Sequence, residues 1–170
     1  MIEGEDLVAR IISCSIKLEE YIAKVYSKLA DKLEYPEALT LKHIARESLN
    51  HASLLRDVSQ VLGLQFKPEN CRKLIGSTYE SLEKLVSLTE STELDKTSVD
   101  LILRELKKAE SSMSEEIYHS MIFNIIKDMF PEPQARIVDR IVDEIICEER
   151  YHHKLMEEVI LAYFRKGVKK

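Results

Sequence analysis

Apolar residues recur at spacings of three and four along most of the chain, the period of an α-helix that buries one face. The first run, Leu7, Ile11, Cys14, Leu18, Ile22, Val25 and Leu29, predicts a helix over roughly 5–33. Glu34-Tyr35-Pro36 ends it, because proline disfavours helix at its predecessor and can open the next one. A second helix follows over about 37–62, with the stripe Ile44, Leu54, Leu55, Val58, Val61 and Leu62 and with Gly63 placed as its C-terminal cap. A third, over about 98–129, carries Val99, Ile102, Leu103, Leu106, Met113, Ile117 and Met121, and Asp95 or Thr97 can cap it. A fourth, over about 133–165, carries Val138, Ile141, Ile145, Met156, Val159 and Tyr163.

Short links within the first pair and within the second pair make antiparallel neighbours. The connection between the pairs is about thirty residues, far above the usual length. Its one amphipathic piece, about 70–90, reads as a short extra helix. The expected fold is therefore all-α: a four-helix bundle with one long crossover that contains a short extra helix, filling residues 1–170 as a single domain.

Composition narrows this only at a few points. Four glycines and four prolines in 170 residues are too few for a turn-rich β protein. The net charge of −5 argues against a nucleic-acid partner held by phosphate neutralisation. No apolar run reaches the length of a membrane span, and the start Met1-Ile2-Glu3-Gly4-Glu5-Asp6 lacks the basic-then-apolar order of a signal peptide. Cys14, Cys71 and Cys147 are scattered, and no CxxC pair exists, so neither a zinc ribbon nor a rubredoxin-type iron site can form. The expectation is three reduced thiols and a cytoplasmic location.

Polar residues that interrupt the apolar stripes change the picture more. Glu19 lies at the edge of the first stripe, His51 in the second with Glu47 one turn earlier, Glu110 in the third, and Glu149 and His152 in the fourth. Carboxylates and imidazoles in an apolar stripe are costly unless they pair or bind a metal. Arg46-Glu47-Ser48-Leu49-Asn50-His51 also echoes Cys147-Glu148-Glu149-Arg150-Tyr151-His152 in the placing of Glu and His. Antiparallel helices bring these midpoints to a similar height. Four carboxylates and two imidazoles then suit two divalent metal ions, iron first and manganese or zinc otherwise, with carboxylates bridging and imidazoles terminal.

At these residues the chain resembles the ferritin-like superfamily, nearest its rubrerythrin-type branch. Leu18-Glu19 followed by Tyr26 looks like that family's ligand Glu with a tyrosine seven residues on, and Glu149-Arg150-Tyr151-His152 looks like its ExxH pair. The resemblance implies a di-iron carboxylate protein, an oxidoreductase acting on peroxide, dioxygen or ferrous iron. Tyr26 would hydrogen-bond a ligand and relay an electron. Two positions depart from the family. Ser48 stands where the ExxH glutamate before His51 belongs, which leaves Glu47 to substitute. Aligning Tyr118 with Tyr26 puts Ser111 rather than Glu110 in the ligand position, while rotation about the helix favours Glu110. The competing expectation is a metal-free helical scaffold or partner-binding protein with a degenerate site. A homodimer is the expected assembly, since long bundles with spare apolar surface often pair.

Overall fold

The computed structural model describes residues 3–91, 94–113, 117, 122, 124 and 131–167. Among them every regular element is helical. In chain order these are α1 (Glu3–Ala30), α2 (Glu37–Val61), α3 (Cys71–Ile75), α4 (Ser77–Ser91), α5 (Lys96–Ser112) and α6 (Glu132–Gly167). No helix among the described residues is long and apolar enough to cross a membrane.

Helix α1 is the core of the molecule. It packs along α2 and also against α3 and α4, so it has little outer face left. Val8, Ile12, Ile16, Leu18, Ile22, Val25, Tyr26 and Leu29 are all buried. Helix α2 joins α6, and α5 packs on α6 and α4, which closes one apolar interior. At about 25 cal/mol per Å² this shared burial is the main force holding the helices together.

The helix ends follow local chemistry. Asp95 caps α5, its Oδ1 accepting from the Ser98 N–H at 2.7 Å. Gly63 takes a left-handed φ of 66° just past α2, where Leu64 N–H donates to Ser59 O at 2.8 Å and Gly63 N–H to Gln60 O at 3.0 Å. The expected single helix over 70–90 is two pieces. Gly76, at φ 78°, breaks it, since only a residue without Cβ takes that backbone shape freely. Past Ser112 the third long helix departs from α winding, and Met113, Ile117 and Ile122 have the wider π turn. Tyr118, Met121 and the expected end of that helix at Met129 lie outside the described residues.

Two expectations about the stripes and the thiols are corrected. Leu7 and Val61 are 43% and 53% exposed, so they are rim residues. Cys14 and Cys71 form a disulfide, with Cα atoms 5.3 Å apart across a sequence separation of 57. The crossover carries α3 back onto α1, a proximity that spacing along the chain does not reveal. Cys147 is the exposed free thiol. The cysteine-based argument for a reducing compartment falls with this correction.

Candidate metal centre

Five of the expected ligands meet. Glu19 on α1, His51 on α2, Glu110 on α5, and Glu149 and His152 on α6 are each at most 1% exposed. They sit in the interior because each lies near the middle of its helix's buried stripe. On α6, Val142, Ile145, Glu149, His152 and Met156 continue one row at steps of three and four.

The geometry divides into two triads that share a residue. Glu19, His51 and Glu149 form one; Glu110, Glu149 and His152 form the other; in each, one donor atom per residue lies within 4.8 Å of the rest. His51 Nδ1 is 3.4 Å from Glu19 Oε1 and 3.0 Å from Glu149 Oε1. His152 Nδ1 is 3.5 Å from both Glu110 Oε2 and Glu149 Oε1. Metal–ligand bonds of about 2.0–2.2 Å put neighbouring ligand atoms roughly 3–4 Å apart, the spacing seen here. The two rings lie with centroids 5.7 Å apart and 30° between planes.

Several of these atoms lack an aligned hydrogen bond. Both oxygens of Glu149, Glu110 Oε2, His51 Nδ1 and His152 Nδ1 are buried with none in the structure. Buried polar atoms are nearly always satisfied, so five together in one spot require a cause. The His51 ring sharpens the point. Its Nε2 is 2.7 Å from Glu148 Oε2, on a residue whose side chain is 40% exposed. An ionised carboxylate only accepts, so Nε2 carries a proton and donates. In a neutral ring Nδ1 then aims its lone pair at two carboxylates, and only a cation between them relieves the clash.

Without a metal, protons must supply that cation. Burial opposes charge on His51, but Glu149 and Glu19 beside it outweigh burial and push its pKa up to about 12. Burial likewise opposes charge on His152, and Glu110 and Glu149 push it up to about 10. Burial, reinforced by the Glu149 charge, raises Glu110 to about 8, against the pull of His152. Tyr26 is fully buried and donates to Glu110 Oε1. Burial and the Glu110 charge hold its own ionisation well above the usual range.

Glu47 is not brought to the cluster. It is half-buried at the surface and accepts from Asn50 Nδ2 at 3.4 Å. Ser48 takes the inward position, and its hydroxyl donates to Ile44 O at 3.1 Å. The physical reason is rotation. The buried row of α2 is Leu41, Ile44, Ala45, Ser48, His51, Ala52, Leu55 and Val58, and at about 100° per residue Glu47 lies about 90° from its centre. On α5 Glu110 faces inward and Ser111 sits partly exposed. The π winding at Met113 and Ile117 falls between Glu110 and Tyr118. Such a turn accommodates one more residue than an α turn. Glu148 was the residue missed as a partner of His51. Its one signal was its place beside Glu149 in the echoed motif.

Comparison with family models, curated proteins and solved structures finds no match to this chain.

Proposed function

We propose that the chain is a di-metal carboxylate protein of ferritin-like architecture, its four long helices α1, α2, α5 and α6 arranged as a one-crossover bundle. Glu149, which belongs to both triads, would be shared by two divalent ions. Glu19 and His51 complete one site; Glu110 and His152 complete the other. The observation that carries this reading is the pair of buried triads sharing Glu149, with unsatisfied donor atoms turned toward one another.

The charges fit. Three carboxylates and two neutral imidazoles bring three negative charges to two dications, close to balance in an interior that penalises any excess. Mixed oxygen and nitrogen ligands suit iron or manganese, and zinc as well. Three protein ligands per ion leave positions open for a small molecule. With iron or manganese bound, the centre supplies electron transfer to peroxide or dioxygen, or oxidises ferrous iron as a substrate. The chain's own groups have distinct tasks. Glu148 holds the His51 ring with Nδ1 turned inward, Tyr26 fixes Glu110 through its hydroxyl, and the apolar walls exclude bulk water.

A second reading is favoured by one observation. Ser48, where the resemblance expects a carboxylate, leaves the donor set one short. A protein that kept the fold and lost the ions would close the cluster with protons. Metal analysis separates the two. After reconstitution with ferrous, manganous or zinc ions and removal of the excess, the protein retains two equivalents of metal and a Glu149→Ala variant retains none. Retention of less than about a tenth of an equivalent by the unaltered protein supports the scaffold.

A further inference from the structure

Buried donors raise the question of how a cation reaches them from water. Glu148 is a solvent-exposed side chain that touches one of the five. Its side chain is 40% exposed, and its Oε2 lies 2.7 Å from His51 Nε2. On the far side of the same ring, Nδ1 is 3.0 Å from Glu149 Oε1 and 3.4 Å from Glu19 Oε1, with no aligned hydrogen bond. A single imidazole ring therefore stands between a wet carboxylate and the inner donors. Tyr26, which touches Glu110, is fully buried and gives no such path.

Glu47, which the metal reading leaves unused, borders the same place. The flank of α2 that carries Arg56 faces α1, where Arg56 pairs with Glu20. At about 100° per residue Glu47 and Leu54 lie on the opposite flank, the one toward which His51 turns to meet Glu148 of α6. A helical side chain covers the turn before its own Cα, so the His51 ring lies over the turn that holds Glu47 and Ser48. Ser48 is small, and Glu47 is half-buried at the seam. One carboxylate from each helix thus borders the ring.

We propose that the α2–α6 seam at Glu47, Glu148 and His51 is the port through which divalent cations enter and leave the centre. This rests on the metal reading above and adds the route. The two carboxylates draw dications to the seam, since a local negative potential raises their concentration there. The His51 ring closes the port from within, and turning it aside uncovers Glu149 and Glu19 together. This task differs from holding the ring. A residue that only holds His51 changes how long the ion stays. A port residue changes entry and exit together and leaves their ratio alone. Glu47 bonds Asn50 and is not brought to the ligands, so it separates the two roles.

The test is the rate of zinc uptake by the full metal-free chain, mixed in stopped flow with a zinc-loaded chromogenic indicator that changes colour as the protein takes the ion. Challenge of the loaded chain with a chelator gives the exit rate, and circular dichroism checks the fold of each variant. Glu47→Gln slows uptake and exit alike, each about tenfold, and still ends at two equivalents. Glu148→Gln slows uptake as well. Glu158→Gln removes the same charge from an exposed place on α6 and keeps the rates of the unaltered chain. Unchanged uptake in both seam variants, or equal slowing by Glu158→Gln, overturns the port and leaves the metal centre standing. Slowing by Glu148→Gln with Glu47→Gln at the unaltered rates makes Glu148 a holder of His51 only and overturns it too. If the unaltered chain takes up no zinc, both readings fall.

Discussion

Loading the centre must expel protons, and the number follows from the groups that surround the ions. In the metal-free chain at pH 7, His51 with a pKa of about 12 and His152 with one of about 10 are cationic, and Glu110 at about 8 is mostly protonated. Divalent ions need deprotonated ligands, so all three protons leave on binding. The expected release is about three protons per protein at pH 7, falling to about two at pH 9 as Glu110 loses its proton in advance. Calorimetric titration with zinc in buffers of different ionisation enthalpy counts them directly. Zinc avoids redox chemistry and occupies the same oxygen and nitrogen donors. Tight binding with fewer than about one proton released would refute the reasoning, because it would place the metal away from the buried histidines.

Other outcomes follow from the same contacts. Glu149→Gln removes the shared carboxylate and abolishes retention of both ions, whereas Glu148→Gln leaves the buried ligands in place and weakens the His51 site about 10–100-fold, read by metal titration. Tyr26→Phe strips the donor from buried Glu110 Oε1 and costs about 1–3 kcal/mol, measured by urea unfolding of the metal-free chain. The metal-free chain also loses stability as pH rises. Glu110 is raised from 4.5 to about 8 and the two histidines from 6.5 to about 10 and 12, so the folded state binds more protons than the unfolded one across this range. That stability is present below the unfolded values. It falls by on the order of 3 kcal/mol per pH unit between pH 7 and 9, visible as a dropping melting temperature.

The helical order was legible because it is written in apolar spacing, a local signal. So were Glu110, Glu149 and His152, which sit inside their stripes, whereas Glu19 lies at the edge of its apparent stripe and is nonetheless fully buried. Glu47 against Ser48 was not. Leu54 and Val61 look like stripe residues but lie toward the rim, and they draw the apparent centre of α2 toward Glu47. A rotation error of one residue, about 100°, moves a carboxylate from the interior to water. The change of winding at Met113 on the third long helix is a backbone property with no fixed sequence mark. Cys14–Cys71 and Glu148–His51 join residues that only the tertiary arrangement brings together, and periodicity carries no information about such pairs. The break at Gly76 was readable in principle, since an isolated glycine inside a helical run marks a stop.

The central claim concerns what lies between five buried side chains. Crystals grown after ferrous reconstitution, measured on both sides of the iron absorption edge, test it most directly. The account predicts two anomalous peaks flanking Glu149, one against Glu19 and His51 and the other against Glu110 and His152. An interior with no peak, its carboxylates and imidazoles closed on each other through protons alone, would contradict it.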